Sequence, residues 1–304
     1  MAKYIIIENA SYKLINEQYP KDKIDQITKI CRNLTNEMDK MSLLEHVNII
    51  VGVSKNIYET ICTQLQIKEK KSTSRCRLRL SYTCESDRYI VSGTMRAWCE
   101  YFNWLNDYGG AIDGCLFDIV NDAADKEFDR FNDVIGLQRV ARAYKLTPAD
   151  LTATESMTHE CLTVIFTVNR NTSHEIANMH EISVTQVPTD FMDNKITVIK
   201  PSFVDHDEHK FDMWKDACRY AELKYADMLA AGVSSQDAYE ILPMSVKSEI
   251  IATGTLSDWY HIYNLNVCHT ADSVHPQTRE IMFPLFIEQR RLRPLAFNSL
   301  KIPE

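Results

Sequence analysis

Histidines, amides and an arginine gather in the last third of the chain, where they could hold an anion or an aromatic heterocycle. A helix is predicted to start at Pro276, a favoured first helical position. A helix N-terminus flanked by imidazole, amide and guanidinium groups can bind a phosphate or the edge of a base. Helix capping beside a surface loop accounts for the same residues equally well, so both interpretations stay open. The set comprises His261, Asn264, Asn266, His269, His275, Gln277 and Arg279.

Two other clusters carry metal-ligand residue types without suitable spacing. The segment 205–209, DHDEH, directly precedes a strongly predicted helix, where acidic N-caps are expected. His174 and Glu175 are adjacent, and adjacent residues do not share a helix face. His180 is also poorly spaced from His174 for chelation. The sequence therefore predicts no metal site.

Composition and missing motifs exclude several classes of function. The 304-residue chain has no Gly-x-Ser-x-Gly elbow, Walker loop or GxGxxG fingerprint, and its 8 glycines argue against a phosphate cradle made mostly of backbone. The formal net charge of −8 argues against direct nucleic-acid binding. No apolar run approaches the ~18 residues of a membrane span. The start, MAKYIIIENA, is typical of a first strand and not of a signal peptide. The 9 scattered cysteines, without a CxxC pair, favour a reduced, cytoplasmic protein.

The segment 158–194 has the pattern of a strand, a turn and a helix followed by an extended polar stretch. Apolar residues alternate from Leu162 to Val168, which predicts a strand. The polar residues 169–171 are expected to break it. Thr172 or Ser173 can then cap a short helix that ends near Met179, and Glu175 favours its first turn. Such an arrangement is a common way to build a ligand-facing edge.

Apolar periodicity predicts the elements of the N-terminal half. The predictions are strands over 3–8 and 47–53, helices over 22–40 and 56–65, a basic turn over 68–71, and a hairpin formed by 76–82 and 88–91. Helical signal continues from Leu116 to about Tyr144. The Thr-rich segment 146–156, which contains Pro148, is predicted to be a connecting loop.

The C-terminal half gives sharper signals. A strand is predicted over 196–199, followed by a helix from Phe211 to Met228 and a second helix from Ser234 or Ser235 to Pro243. Thr255 and Asp258 resemble a capping box, with Asp in place of the usual Glu. The last helix is expected to kink near Pro284.

Two segments of the chain echo each other. SGTMRAWCEYFNWLN starts at Ser92 and TGTLSDWYHIYNLN starts at Thr253. They share Gly-Thr-apolar-x-x-Trp, and each follows a predicted strand and short helix. An ancient duplication accounts for this. Two independent turn-to-helix junctions, each packing a tryptophan against a sheet, account for it slightly more simply.

Four regions resemble the flavin-dependent thymidylate synthases, in the order in which that family has them. The regions are Ser42-Leu-Leu-Glu-His46, which leads into a strand; 162–191, with the strand, helix and signature segment; 238–266, with a Leu-Pro segment, turn and helix; and HPQTREIM, 275–282, the closing helix. The resemblance covers roughly residues 40–290, and the later half carries most of it.

The resemblance implies an α/β (α+β) fold with a central mixed or antiparallel sheet flanked by helices. It implies a single domain over 1–304 with helical extensions, in which 1–40 form an N-terminal strand and helix and 66–157 a family-variable insertion. It further implies a homotetramer with sites between subunits, or a hetero-oligomer with a paralogue. The implied cofactors are FAD, NADPH and methylenetetrahydrofolate, and the implied substrate is a deoxypyrimidine nucleotide.

The family signature, Arg-His-Arg-x-x-Ser-x-x-x-x-Ser-x-Arg followed by Tyr, is largely replaced in this chain. Only Ser183 is retained, and Asp190 stands in the place of an arginine that helps to hold the nucleotide phosphate. At ~4 Å and an effective dielectric constant of ~20, one unit charge contributes about 4 kcal/mol, so this reversal is large. The residues at the signature positions are Asn178, Met179, His180, Ser183, Pro188, Asp190 and Phe191.

The resemblance assigns candidate ligand contacts residue by residue. Family chemistry needs no protein nucleophile, because the flavin and the folate carry the reaction and the protein orients them, so no catalytic residue is assigned. The nucleotide-binding candidates are Glu175, Gln186, Thr189, Asp190, Tyr239 and Asn266. The cofactor-binding candidates are Asn178, His180, Ser183, Thr185, Thr255, Ser257 and His261.

Three functional hypotheses follow. The first is a diverged flavin enzyme acting at C5 of dUMP or dCMP, since the Asn266 amide can both donate to and accept from a pyrimidine edge. The second is unmodified thymidylate synthesis with substituted contacts, which rests on fold-level analogy. The third is a catalytically inactive nucleotide-binding or partner subunit without flavin. The loss of most signature positions favours the first and third hypotheses.

Overall fold

Helices combine with mostly antiparallel sheets in this chain, which confirms the predicted α+β class. A computed structural model describes residues 5–15, 23, 25–27, 41–71, 77–84, 86–131, 136–138, 142–187, 196–268 and 274–302. The chain forms two compact units. One comprises Met1–Leu14, Val164–Ala252 and Trp259–Glu304, and the other comprises Ile15–Thr163 and Thr253–Asp258. The domain boundaries given above stay predictions.

A four-stranded antiparallel sheet organises the N-terminal half. Its strand order is β4-β5-β3-β8, with β3 at Asn48–Val53, β4 at Arg79–Thr83, β5 at Arg88–Thr94 and β8 at Ala143–Leu146. A short parallel pair joins β6, Ala111–Asp113, to β7, Gly136–Gln138. This half also contains the helices α1, Lys55–Lys71; α2, Met95–Tyr108; α3, Gly114–Ala123; and α4, Ala153–His159.

Helix α2 follows β5 without a connecting loop, and its sequence explains why. The Thr94 hydroxyl accepts a hydrogen bond from Ala97 N at 3.2 Å and so satisfies a backbone donor that the first turn leaves free. Gly109, at φ 66°, ends the helix in the left-handed conformation that glycine adopts without strain. Between these caps, Trp98 and Phe102 are fully buried in an aromatic cluster.

A second four-stranded sheet contains the two strands of segment 158–194, β9 and β10. Its order is β10-β12-β9-β2, with β2 at Ser11–Leu14, β9 at Cys161–Asn169, β10 at Ser183–Gln186 and β12 at Lys247–Thr255. Strand β2 is antiparallel to β9. A parallel pair joins β1, Ile5–Ile7, to β11, Thr197–Ile199. The helices are α5, Arg170–Ala177; α6, Glu208–Ala230; α7, Ser235–Ala238; α8, Leu256–Tyr263; α9, Pro276–Leu292; and α10, Pro294–Phe297.

The strand predicted from Leu162 to Val168 is confirmed as part of β9, but both of its faces are buried. Thr163 is fully buried, and its hydroxyl hydrogen-bonds the Thr253 hydroxyl at 2.7 Å. The alternation of threonine with apolar residues therefore marks a hydroxyl pair inside the protein and not a solvent-facing edge.

The predicted start of the following helix was wrong. The strand ends at Asn169, as predicted, but Asn169 and not Thr172 or Ser173 is the N-cap, and its side-chain oxygen accepts a hydrogen bond from Thr172 N at 2.7 Å. Asparagine is among the best N-cap residues, and the helix begins one residue later.

Three predictions in the N-terminal half were also wrong. The basic residues 68–71 continue α1 and do not form a turn, and Lys68 is buried. The helical signal towards Tyr144 ends at Ala123, and β7 and β8 follow it. The expected loop at 146–156 contains the start of α4, which is capped by reciprocal bonds between Thr152 and Glu155. Capping overrode the weak apolar pattern there.

Other predictions are confirmed. The hairpin of β4 and β5, the long helix α6, and the capping box of Thr255 and Asp258 are present. Of the helix predicted over 22–40, the described residues 23 and 25–27 are helical. Helix α9 continues through Pro284 to Leu292, and the kink stays a prediction. Among the described helices, none is long and apolar enough to cross a membrane.

Candidate functional site

A cleft of about 430 Å³ opens where the start of α5 meets the start of α9. Apolar side chains form much of its wall: Phe203 is 66% exposed and Met244 51% exposed. Amides and an imidazole supply the polar groups. A concave, mainly apolar cavity with a few converging polar groups is the usual form of a small-molecule site. Its lining includes Asn169, Asn171, Phe203, Met244, His275 and Gln277.

Buried hydrogen bonds connect the start of α5 to the start of α9. The Asn169 amide donates to the Gln277 side-chain oxygen, and both side chains are buried. Gln277 Nε2 in turn donates to the Lys200 carbonyl at 3.2 Å. The His275 ring nitrogen accepts from Gln277 N at 3.2 Å and so caps α9. The predicted capping role of His275 is thus confirmed, and the capped helix end forms one wall of the cleft.

The nucleotide-binding candidate Glu175 also connects α5 to α9. It lies on α5, and its carboxylate accepts a hydrogen bond from the Thr278 hydroxyl of α9. The bond ties the two helices whose starts line the cleft. Glu175 therefore has a structural partner besides any ligand.

Two cationic side chains near the cleft, Arg170 and Lys200, have different partners. Arg170 sits between the lining residues Asn169 and Asn171, and its guanidinium lies 5.1 Å from the Tyr239 ring centroid. Tyr239, a nucleotide-binding candidate, is therefore placed next to a positive charge. Lys200 instead forms ion pairs with Glu8 at 2.5 Å and Asp205 at 3.0 Å, and hydrogen bonds to these carboxylates raise its pKa.

The remaining candidates of the signature segment follow α5. Asn178 is the C-cap residue of α5, and His180 lies in the exposed turn after it. Ser183 opens β10 and is half-buried, whereas Thr185 is buried. Gln186 ends β10, is exposed, and donates to the Ser248 hydroxyl at 3.3 Å. Thr189 and Asp190 lie outside the described residues.

The candidates around α8 occupy separate positions. Thr255, the last residue of β12, is held by Asp258, and Ser257 is exposed in the first turn of α8. His261 is exposed on α8 itself, with Nε2 at 3.4 Å from a Glu181 carboxylate oxygen. Asn266 lies in a π-helical segment, Asn264–Cys268, and its amide donates to the Ile262 carbonyl at 2.8 Å. His269 lies outside the described residues.

The cleft contains residues that the sequence did not single out. The sequence pattern assigned Asn169 and Asn171 only to the end of a strand, although an asparagine before a helix is a recognisable cap signal. Phe203 lies in the short 3-10 helix Ser202–Val204 and Met244 in a turn, and segments this short carry no periodic signal about exposure.

The acidic segment before α6 behaves as a helix cap. Asp207 accepts from Lys210 N at 3.1 Å, as an N-cap should. Within the part of the chain that the structure describes, no group of three or more His, Cys, Asp or Glu side chains is arranged to hold a metal ion.

Residues 149–289 match the family model of the thymidylate synthase complementing protein. The predicted resemblance to the flavin-dependent thymidylate synthases is confirmed. The matched range contains the described cleft residues and all the candidate ligand contacts, described or not. It begins at residue 149, so Ser42–His46 lies outside it.

Individual relatives agree with the family match. The flavin-dependent thymidylate synthase of Pyrococcus abyssi (strain GE5 / Orsay) is 26% identical over 125 residues, which are 40% of this chain and 50% of that protein. The enzyme of the same name from Thermococcus onnurineus (strain NA1) is 26% identical over 122 residues, with the same coverage. The chain thus spans about half the length of the curated relatives that it matches.

Among solved structures, the chain is similar to a UMP/dUMP methylase, PolB, from Streptomyces cacaoi bound with 5-Br UMP. The TM-score is 0.40 and the identity 14%, over 46% of this chain and 73% of the other. A similarity of this size does not establish a shared fold.

Proposed function

We propose that this chain is a flavin-dependent enzyme that transfers a one-carbon unit to C5 of a deoxypyrimidine monophosphate, dUMP or dCMP. The one-carbon donor is methylenetetrahydrofolate, and FAD and NADPH serve as redox cofactors. The family match over 149–289 carries the proposal, because all candidate ligand contacts fall inside it. The working form is a homotetramer in the cytoplasm.

The donor set of the candidate residues fits a flavin. Asn178, His180 and Ser257 are exposed, so amide, imidazole and hydroxyl groups are accessible to a bound cofactor. Such groups hydrogen-bond the carbonyl oxygens and ring nitrogens of a flavin. A bound reduced flavin supplies hydride chemistry, and the protein residues bind and orient it.

Arg170 is the cation best placed for the nucleotide phosphate. It is half-buried, it lies between two cleft-lining residues in the sequence, and among the described residues its partner is a tyrosine ring and not a carboxylate. Arginine binds phosphate through paired N–H donors. This residue offsets part of the charge that is lost where relatives keep the arginines of their signature.

The amides Asn266 and Gln186 are the proposed readers of the pyrimidine edge. Uracil and cytosine differ in whether their C4 substituent accepts or donates a hydrogen bond, and an amide can meet either demand. Among the described residues each amide makes one hydrogen bond, to Ile262 and to Ser248, so further amide donors and acceptors are available to a ligand. Both substrates therefore remain in the proposal.

Flavin titration and thermal shift test the function. Purified protein should show the visible absorption of oxidised flavin, or acquire it on adding FAD. At one fixed concentration, the nucleotide with the lower dissociation constant should stabilise the protein more, by ~2.7 kcal/mol at 100 times that constant, which ranks dUMP against dCMP. Arg170→Gln should weaken nucleotide binding, whereas Arg219→Gln, an exposed change on α6, should not. Colourless protein that gains no flavin would contradict the proposal and leave the inactive subunit as the alternative.

A further inference from the structure

The N-terminal and C-terminal halves repeat one succession of elements. In the first half a strand, a helix, two strands and a helix follow as β3, α1, β4, β5 and α2. In the second half the same types follow as β9, α5, β10, β12 and α8, with β11, α6 and α7 inserted before β12. The two sheets have the orders β4-β5-β3-β8 and β10-β12-β9-β2. Each of the shared strands occupies the same place in both orders.

A similar short sequence occurs at the same point of both halves. Strand β5 ends with Ser92-Gly93-Thr94 and β12 ends with Thr253-Gly254-Thr255, and a helix begins at the next residue in each case. Trp98 and Trp259 come four residues after the threonines, and both are fully buried. The sequence echo noted above therefore falls on equivalent structural positions.

Backbone hydrogen bonds establish the equivalence without using side-chain identity. The first residue of α2, Met95, donates from its N–H to the Val47 carbonyl at 2.8 Å. The first residue of α8, Leu256, donates to the Glu160 carbonyl at 3.1 Å. Val47 and Glu160 are each the residue directly before the first strand of their half.

A histidine precedes this acceptor residue in both halves, and each histidine contacts the junction of the other half. His46 Nδ1 is 2.9 Å from the Thr253 hydroxyl, and His159 Nδ1 is 2.7 Å from the Ser92 hydroxyl. All four side chains are buried and lie in the same compact unit. Two unrelated junctions would have no reason to make this reciprocal exchange.

We infer that residues 41–108 and 155–263 are two copies of one β-α-β-β-α unit, and that the histidine of each copy positions the strand-to-helix junction of the other. His46 therefore holds the end of β12, two residues before Thr255 and four before Ser257. This consequence rests on the proposed function, in which those two residues contact the cofactor. On this inference, residues 66–157 are not an insertion, because they contain the larger part of the first copy, residues 66–108.

Double-mutant cycles test the reciprocal pairs through stability alone. His46→Leu and Thr253→Val form one cycle, and His159→Leu and Ser92→Ala form the other. A buried hydrogen bond that is lost with either partner should give a coupling of about tenfold in the unfolding constant. Both cycles should show this coupling in denaturant melts. Additive effects in either cycle would overturn the inference.

Exchange variants test whether the two junctions are equivalent. Ser92→Thr and Thr253→Ser place the residue of one copy in the other and keep a hydroxyl. Their unfolding midpoints should lie at nearly the same denaturant concentration as that of the wild type, whereas Ser92→Ala and Thr253→Val should unfold at lower concentrations. Exchange variants that lose as much stability as the removal variants would contradict equivalence.

FAD titration tests the positioning role of His46. His46→Leu should weaken FAD binding about tenfold, as expected when an ordered contact surface loses a buried hydrogen bond. His46→Asn, whose amide can replace Nδ1, should restore most of the affinity. His209→Ala, an exposed change on α6, is the matched control. Equal FAD affinity in wild type and His46→Leu would overturn the positioning role, whereas wild type that binds no FAD would refute only the proposed function.

Discussion

The two halves use one succession of elements in different ways. The N-terminal junction leads into α2, whose aromatic residues fill a core with Phe117, Phe128 and Phe131. The C-terminal junction leads into the shorter α8, which passes into a π-helical segment carrying the amide of Asn266. The second half also contains the cleft between the starts of α5 and α9. The side chains that follow the N-terminal junction therefore pack into a core, whereas the C-terminal half leaves polar groups accessible to a ligand.

The largest expected effect comes from the aromatic core. Phe102 is fully buried and contacts five aromatic rings. Phe102→Ala should lower the free energy of unfolding by about 3–5 kcal/mol, since it removes a large side chain and leaves a cavity. Phe203→Ala, at a phenylalanine that is 66% exposed, should change it by less than about 0.5 kcal/mol. Chemical denaturation measures both. Equal losses would show that the cleft side is packed as tightly as the core.

Acid should destabilise the protein through the two buried histidines. Burial and the neighbouring charge of Lys23 lower the pKa of His46 to about 3. Burial and Arg79 lower the pKa of His159 to about 4, against an opposing contribution from Glu155. Both histidines stay neutral in the folded state while the unfolded chain takes up protons below its ordinary histidine pKa of about 6.5.

Their stabilising contribution is therefore complete above about pH 6.5 and is lost as the pH falls towards the folded values. Each histidine should cost on the order of 3 kcal/mol at about pH 4. Denaturant melts across this range give the slope. A His46→Asn, His159→Asn double variant should have a shallower slope, and an unchanged slope would assign the acid sensitivity to other groups.

Replacing the residue directly before α5 should cost moderately more stability than replacing the residue directly before α1. Asn169→Ala removes the N-cap bond to Thr172 and the buried bond to Gln277, and should cost about 1–3 kcal/mol. The Ser54 hydroxyl, at the matching position before α1, is buried and has no hydrogen-bond partner among the described residues. Ser54→Ala should be neutral or slightly stabilising. A costly Ser54→Ala would show that the first half also depends on a polar cap.

The smallest effect should come from the first turns of α2 and α8. Arg96, whose side chain is 40% exposed, pairs with Glu45 at 3.5 Å and Glu100 at 3.1 Å. Arg96→Ala should cost less than about 1 kcal/mol, and the loss should shrink at high salt because exposed pairs are screened. Ser257→Ala, at the corresponding exposed position of α8, should leave stability unchanged. A salt-independent loss at Arg96 would exclude a screened ion pair.

The sequence predicted those elements that are stabilised by interactions between residues close together in the chain. The three-and-four spacing of apolar residues predicted α6, and the spacing of Thr255 and Asp258 predicted the cap at the start of α8. Prediction failed where a short apolar pattern continued across a boundary, as between α3 and β8. The strand there is stabilised by pairing with β3, and such pairing is invisible in a window of neighbouring residues.

In the candidate site, the sequence likewise singled out some residues, whereas only the structure showed their long-range contacts. Family resemblance, which is carried by the sequence, singled out Glu175, Tyr239 and the residues after α5. The contacts of Glu175 with Thr278 and of Arg170 with Tyr239 join residues far apart in the chain, so only the fold could disclose them. The exposed residues of the cleft carry no periodic signal, because their neighbours in space come from separate loops.

The sequence by itself determined the α+β class, the caps at the starts of α6, α8 and α9, and the family to which residues 149–289 are similar. Those features depend on short-range hydrogen bonding, on apolar periodicity and on motifs in a fixed order. Only the tertiary structure decided which of two explanations of the Gly-Thr echo to prefer. The strand orders and the reciprocal histidine pairs are long-range arrangements, and long-range pairing is fixed by packing and burial and not by the residues next in the chain.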